Sequence, residues 1–129
     1  MEEKKTFIGI HVLVKNGDKY LVVLRSEDDP EDPKTWDLPG GGAVEREQPL
    51  EGAVRETLEE TGMIVAVTKI LKLHGVEYHG LWTPEAVVEA EFIEGEVKLS
   101  PEHTEYKWIT WQELVDIEPK SRNLKYLFM

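Results

Sequence analysis

The sequence predicts an α/β fold, in which helices cover a mixed β-sheet. Two observations support this prediction. Apolar, β-branched stretches lie on both sides of one long helical segment, and shorter helical segments follow near the C-terminus. The chain has 129 residues, which is the size of one ordinary domain. We therefore expect a single domain over residues 1–129.

The first two strands are predicted at residues 6–14 (TFIGIHVLV) and 19–25 (KYLVVLR). Asn16 and Gly17 lie between them, and Asn-Gly in that position favours a tight hairpin turn. His11 lies inside the first strand, where a histidine is more often packed and hydrogen-bonded than bound to a metal. The acidic, proline-containing residues 26–35 predict a solvated surface loop rather than a second metal site.

The longest helix is predicted to begin near Gln48 or Pro49 and to be capped by Gly62. Proline suits the first helical position, and glycine suits a left-handed C-terminal cap. Apolar residues recur at three- and four-residue steps, so this face should pack on the sheet. They are Leu50, Ala53, Val54 and Leu58.

A second face of this helix carries Glu56, Glu59 and Glu60 within an arc of about 100°. Like charges at this spacing repel by about 0.2–0.5 kcal/mol per pair, so a cation is expected over that face. Carboxylates bind hard cations such as Mg²⁺ or Mn²⁺, and Mg²⁺ often shares its ligands with substrate phosphates. Three glycines precede the helix, and they predict a turn in which Gly41 and Gly42 approach a phosphate closely.

Further strands are predicted at residues 64–73, 85–93 and 106–109, with an aromatic and polar connection at 74–84. In that connection Tyr78, His79 and Trp82 could stack on a nucleobase or cap the end of the core. Residues 110–113 match a capping box and predict a short helix. A final helix is predicted within residues 120–129, with Leu124, Leu127 and Phe128 as its apolar positions.

The net charge of −11 argues against general binding to nucleic acid or to an anionic membrane. A small polyanion could still bind if a divalent cation reversed the local field. The chain has no cysteine, no apolar run long enough to span a membrane, and no apolar signal-peptide stretch in residues 1–5. These features predict a cytoplasmic protein.

Gly41, Glu47 and residues 55–63 (RETLEETGM) lie at the spacing of the Nudix hydrolase signature, which this sequence resembles. The soft departure is Thr57, where the family more often has an aliphatic residue. Residues 36–41 (WDLPGG) are also similar to the segment that precedes the signature in that family. The resemblance implies an α/β/α sandwich and Mg²⁺-dependent hydrolysis, with Mn²⁺ as a substitute, of a nucleoside diphosphate linked to a group X.

The resemblance also implies roles for individual acids. Glu56, Glu59 and Glu60 would bind the metal, and Glu59, Glu60 or Glu102 would act as the general base. Glu102 is the best match to a catalytic glutamate outside the signature, and Glu105 is the second. The signature contains no Ser, Cys or His nucleophile, so a covalent intermediate is not expected.

Basic and amide residues have expected roles as well. By the resemblance, Arg55 would orient the acids of the signature, with Glu47 and Glu59 as its candidate partners. Arg25 and Asn123 are candidate contacts to a phosphate or a base. An ordinary surface role remains an alternative for each of these two.

The expected partner is a small-molecule nucleotide, first a nucleoside triphosphate, intact or damaged, cleaved to a monophosphate and pyrophosphate. ADP-ribose and other ADP-sugars, dinucleoside polyphosphates and capped RNA stay open, as does a homodimer. Two alternatives lack catalysis: a nucleotide-sensing module of the same fold, and a scaffold whose acidic face binds a basic protein. The full set of signature carboxylates favours the enzyme over the sensor.

Overall fold

The computed structural model describes residues 6–129, whose strands form one seven-stranded sheet. The strands are β1 (Thr6–Asn16), β2 (Lys19–Arg25), β3 (Trp36–Asp37), β4 (Gly40–Val44), β5 (Ile64–Tyr78), β6 (Leu81–Glu94) and β7 (His103–Ile109). The helices are α1 (Pro49–Thr61), α2 (Trp111–Asp116) and α3 (Arg122–Leu127). Residues 1–5, for which the sequence predicts no signal peptide, lie outside the described residues.

The sheet is mixed, as predicted. Its neighbours run β3-β2-β1-β6-β5, while β4 also pairs with β1 and β7 with β2. β1 and β6 are parallel, with Gly9 opposite Glu85 and Lys15 opposite Glu91. The remaining strand pairs are antiparallel, and they include the predicted β1–β2 hairpin, in which Gly17 has a φ of 64°.

Helices pack on both faces of this sheet. Successive side chains of a strand point to opposite faces, so Val12 and Leu13 of β1 belong to different cores. Val12 packs in the cluster that contains Ala53 of α1, whereas Leu13 packs with Leu114 of α2 and Leu124 of α3. This arrangement confirms the α/β/α sandwich.

The ends of α1 match the prediction. Pro49 is its first residue, and Gly62 caps its C-terminus in the left-handed conformation at a φ of 76°. Thr57, the departure from the family pattern, is fully buried. Its hydroxyl donates to the carbonyl oxygen of Ala53 at 2.8 Å, so this polar group is satisfied inside the core.

The buried face of α1 differs from the prediction. Leu50 and Leu58 were expected on the sheet but are 42% and 46% exposed, whereas Ala53 is 1% exposed. The close approach of α1 to β4 favours the small residues Gly52 and Ala53 on the buried face, while Leu50 lines an open apolar cavity with Ile70 and Leu73. A Cβ atom on Gly52 would lie 2.9 Å from the Cβ of Ala43 and 2.8 Å from Oε1 of Glu47.

The strands predicted at residues 64–73 and 85–93 are shorter than the observed strands β5 and β6. β5 and β6 form a long hairpin whose turn is His79-Gly80, with φ values of 49° and 79°, so residues 74–84 are not a separate connection. The tip extends beyond the core, where Leu81 and Trp82 are 70% and 78% exposed. Apolar alternation therefore does not mark this end of the hairpin. Trp82 lies against Gly75 on the paired strand.

The C-terminal elements follow the predicted capping signals. Thr110 and Glu113 form the capping box of α2, and Ser121 caps α3. Leu124 and Leu127 are buried, but Phe128 lies beyond the helix and is 38% exposed. Within residues 6–129, no helix is both long enough and apolar enough to cross a membrane.

The packing of α1 on β4 gives a first prediction. Gly52→Ala should destabilise the protein by about 1–3 kcal/mol through overpacking. Alanine is the better helix former, so helix propensity alone would give the opposite sign. The free energy of unfolding is measured by urea titration, with Glu51→Ala at the exposed neighbouring position as the matched control. A Gly52→Ala variant at least as stable as Glu51→Ala would contradict the close approach.

Candidate active site

A polar cleft of about 280 Å³ lies where α1, β4 and the start of β7 meet. Most of its lining side chains are charged or able to form hydrogen bonds. The lining residues are His11, Arg25, Asp29, Asp37, Leu38, Gly40, Gly41, Glu56, Glu60, Glu102, His103 and Asn123. The cleft therefore collects residues from nearly the whole length of the chain.

Glu60 is the most buried carboxylate contributed by α1, with 8% of its surface exposed. Its Oε1 accepts a hydrogen bond of 3.0 Å from the backbone N–H of Gly40. Burial raises the pKa of Glu60 to about 8, and repulsion by Glu102, Glu56 and Asp37 adds to this despite the hydrogen bond. Within residues 6–129 no Lys, Arg or His forms an ion pair with Glu60. The cleft thus holds a buried acid without a cationic partner.

Glu56 lies one turn before Glu60 and directly against β4. Burial raises its pKa, and repulsion by Glu59 and Glu102 adds to that shift, although Arg55 opposes it. A Cβ atom on Gly41 would lie 2.4 Å from the Glu56 carboxyl carbon. A side chain at position 41 would therefore displace the carboxylate of Glu56 from this position.

Arg55 links α1 to the chain before it. Its Nε donates to Glu47 at 2.7 Å, and its Nη1 donates to Glu56 at 3.0 Å and to Glu59 at 3.1 Å. Nη2 donates to the carbonyl oxygen of Gly42 at 3.1 Å. Arg55 thus pairs with Glu47 and Glu59, the two partners expected from the sequence, and also with Glu56.

Glu59 lies apart from the other two helix acids. Its side chain is 56% exposed, pairs with Arg55, and does not line the cleft. Across residues 6–129, no group of three or more His, Asp or Glu side chains is already close enough to hold a metal ion. The metal role of Glu59 stays a prediction, and Glu56 and Glu60 are the helix acids that face the cleft.

Glu102 lies just before β7 and lines the cleft opposite α1. Glu105 is exposed on β7, opposite Leu24, and is not in the lining. His103, which the sequence did not single out, is 8% exposed, and its Nδ1 has no hydrogen-bond partner within the described chain. Burial lowers the pKa of His103, so its imidazole is neutral at neutral pH.

Arg25 lines the cleft, but two acids hold its guanidinium. It donates to Asp37 at 2.8 Å and to both oxygens of Asp29 at 2.9 Å. The solvated-loop prediction is therefore wrong for Asp29, whose carboxylate turns inward and pairs with Nη2 of Arg25. Asp37 also accepts from the Ser121 hydroxyl at 2.8 Å, which ties the Arg25 side of the cleft to α3.

The glycine segment 40–42 was expected to form a turn, and that prediction is wrong. Gly41 and Gly42 belong to β4 and pair with Ile10 and Gly9 of β1. Their lack of side chains permits close packing, since a Cβ atom on Gly42 would lie 2.1 Å from the Thr6 methyl group. Whether they contact a phosphate stays a prediction.

His11 and Glu85 form a buried pair that the sequence revealed only in part. His11 Nε2 lies 2.9 Å from Glu85 Oε1, so the histidine is hydrogen-bonded as predicted. Glu85 was not singled out, and the only local signal is an acid at the start of an apolar stretch. The candidate Asn123 lines the same cleft as His11, from α3.

Together, the fold and the cleft define an α/β/α sandwich in which the long helix and the segment before β7 present carboxylates to a polar cleft. The NUDIX domain model matches residues 5–128. The chain therefore belongs to the Nudix domain family.

Two curated proteins are similar to parts of the chain. One is the "Putative 8-oxo-dGTP diphosphatase" of Bacillus subtilis strain 168, 40% identical over 60 residues, which are 46% of this chain and 38% of that protein. The other is the asymmetrical bis(5'-nucleosyl)-tetraphosphatase of Rattus norvegicus, 33% identical over 86 residues, which are 60% and 57% of the two chains. The chain thus spans well under two thirds of the length of these curated relatives.

Solved structures resemble the whole chain. A MutT protein from Methanosarcina mazei Go1 is 29% identical with a TM-score of 0.81, and the match covers 99% of this chain and 94% of that one. A MutT NUDIX hydrolase from Burkholderia pseudomallei is 23% identical with a TM-score of 0.77 and 96% coverage of both chains. The second likeness supports the fold alone.

The raised pKa of Glu60 predicts a pH-dependent stability of the metal-free protein. Between about pH 5 and about pH 8, the folded protein keeps a proton that the unfolded chain has released, so stability falls as pH rises. The slope from this group is at most about 1.4 kcal/mol per pH unit. Glu60→Gln should remove that slope. Urea unfolding in the presence of a chelator at several pH values measures it, with Glu51→Gln expected to follow the wild type. Parallel curves for the wild type and Glu60→Gln would refute the assignment.

Proposed function

We propose that this protein is a divalent-cation-dependent pyrophosphohydrolase that acts on a nucleoside diphosphate linked to a group X. The observation that carries the proposal is the set of Glu56, Glu60 and Glu102 around one polar cleft beside β4. Membership of the Nudix domain family supports it. We also propose that residues 1–129 form one domain, which carries this activity.

The donor chemistry of the cleft fits Mg²⁺, or Mn²⁺ in its place. Glu56 and Glu60 are carboxylates with raised pKa values, and Glu102 adds to both shifts by repulsion. A divalent cation would favour their ionised forms and would accept their oxygens as ligands. Glu56, Glu60 and Glu102 would hold the cation, with Glu59 as a further ligand. When bound, it polarises a phosphoryl oxygen and neutralises charge on the leaving group.

The side chains of the protein position the reaction. Arg55 fixes Glu56 and Glu59 relative to β4, while the N–H of Gly40 fixes one oxygen of Glu60. Glu59, Glu60 and Glu102 are the candidate bases that would take a proton from the attacking water. As the water oxygen bonds to phosphorus, the phosphoanhydride bond breaks and the phosphate or pyrophosphate group leaves.

Other residues would hold the substrate. Gly41 and Gly42 would let a phosphate approach the β4 backbone, and Asn123 would contact the phosphates or the base. Arg25 is held by Asp29 and Asp37, so its role here is to support that wall of the cleft and to present a fixed positive charge.

The first candidate substrate is a nucleoside triphosphate, intact or damaged, cleaved by water to the monophosphate and pyrophosphate. The B. subtilis relative, named for 8-oxo-dGTP, and the full-length likeness to a MutT protein support this choice. A dinucleoside polyphosphate is the second candidate, because the rat relative is named for bis(5'-nucleosyl) tetraphosphate.

The proposed activity is tested by incubating the protein with a panel of phosphate compounds in Mg²⁺ or Mn²⁺. The panel includes nucleoside triphosphates, 8-oxo-dGTP, ADP-ribose, a dinucleoside tetraphosphate and capped RNA, with products separated by chromatography. A monophosphate product that disappears with chelator and returns with Mg²⁺ is the expected result. Tight nucleotide binding without any product would indicate the sensing module instead.

Loss of the most buried acid of α1 should abolish catalysis. Glu60→Gln should lower kcat by at least about a hundredfold, because it removes a cation ligand without changing side-chain size. The control is Glu51→Gln, an exposed acid of the same helix that lies outside the cleft. Steady-state kinetics with the best substrate of the panel measures the effect. Normal turnover by Glu60→Gln would refute the proposed site.

A further inference from the structure

A second cavity, of about 510 Å³, opens beside the acidic cleft and shares His11, Gly41 and Asn123 with it. Its volume is in the range of small-molecule sites. Its lining includes two carboxylates, Glu31 and Glu85, and one guanidinium, Arg122 of α3. If phosphates occupy the cleft, the rest of a nucleotide lies next to this cavity.

Glu85 is built into the sheet beneath this cavity. It is 9% exposed, and it is the first residue of β6 to pair with β1, opposite Gly9. A Cβ atom on Gly9 would lie 3.0 Å from Glu85 Oε2, so glycine leaves space for the carboxylate. His11 holds Oε1 at 2.9 Å. Within residues 6–129 nothing donates a hydrogen bond to Oε2, which remains able to accept one.

The carboxylate of Glu85 is ionised at neutral pH. Burial alone would raise its pKa, but the hydrogen bond and charge of His11, together with Arg122 and His74, outweigh burial and lower it. An ionised carboxylate has acceptors and no donor. Arg122, in contrast, has donors and no acceptor.

We propose that Glu85 and Arg122 make this cavity a site for a guanine base, so that the protein prefers guanine nucleotides. The proposal rests on the function proposed above. Guanine carries adjacent N1–H and N2–H₂ donors, which suit the carboxylate of Glu85. It also carries O6 and N7 acceptors, to which Arg side chains commonly donate.

Other bases match this pair less well. Adenine places a ring-nitrogen acceptor beside its N6–H₂ donor, so it would face Glu85 with an acceptor or Arg122 with a donor. Cytosine has one donor beside two acceptors, and thymine has one donor between two acceptors, so neither presents two adjacent donors to Glu85. A buried polar group left without its partner is the source of strong discrimination between ligands of similar size.

The hairpin tip supplies a surface for the base. Tyr78 and His79 line the cavity. The centroids of their rings are 4.3 Å apart, and the rings are arranged edge to face. The Tyr78 hydroxyl donates to Glu31, which joins the hairpin to the loop between β2 and β3. A planar base therefore has an aromatic wall within the same cavity.

The experiment compares binding of GMP and AMP by titration calorimetry in metal-free buffer. The wild type should prefer GMP, and Glu85→Gln and Arg122→Gln should each lower that preference by about tenfold to a hundredfold, the effect of one charge-assisted hydrogen bond. Glu85→Asp keeps the negative charge and should therefore retain part of the preference for GMP over AMP. The control Glu89→Gln, on the same strand but outside the cavity, should change the preference by less than about twofold.

A wild type that binds AMP as tightly as GMP would overturn the proposal, as would a preference that survives either substitution. Thermal unfolding checks that each variant is folded, and the exposed Arg122 provides a variant that leaves the core intact. Cleavage of GTP and ATP with Mg²⁺ is measured in parallel. Selective GMP binding without cleavage would refute the proposed function but support the base site. Cleavage of GTP and ATP without selectivity would support the proposed function but refute the base site.

Discussion

The close approach of α1 to β4 is the constraint on which the cleft depends. A side chain on Gly52 of the helix would overlap Ala43 and Glu47, and a side chain on Gly41 of the strand would overlap Glu56. The helix therefore lies near enough for Glu60 to accept a hydrogen bond from the Gly40 N–H and for Glu56 to lie over Gly41. A bulkier contact would move the carboxylates away from the strand that is proposed to hold the phosphates.

The charges around the cleft are compensated unevenly. Arg55 is bonded to three carboxylates and a backbone carbonyl, and Arg25 is bonded to two carboxylates. Within residues 6–129 Glu60 has only a backbone donor, and burial raises its pKa. The cleft thus contains a buried acid whose ionised form has no cationic partner in the described part of the chain. This arrangement costs stability without a cation, which is a common feature of functional sites.

Sequence reasoning succeeded where the relevant residues are close in the chain. The ends of α1, the β1–β2 hairpin and the capping box of α2 depend on local signals, and so does the spacing of Glu56 and Glu60. It failed where a tertiary contact decides the outcome. The buried face of α1 contains Gly52 and Ala53 rather than Leu50 and Leu58, because the helix approaches β4 closely at Gly52.

In the candidate site, too, the sequence could not indicate contacts that depend on the tertiary structure. His11 and Glu85 are 74 residues apart and meet only through the parallel pairing of β1 and β6. Asp37, Arg25 and Ser121 converge from β3, β2 and the cap of α3. No spacing within one segment could indicate these contacts, because each depends on the order of strands in the sheet.

The two cavities are formed by different parts of the fold. The acids proposed for chemistry come from α1 and the segment before β7, whereas Glu85, Tyr78 and Arg122 come from the β5–β6 hairpin and α3. His11, Gly41 and Asn123 line both cavities. Changes at the hairpin tip or in α3 would therefore alter the proposed base site while α1 keeps its packing on β4.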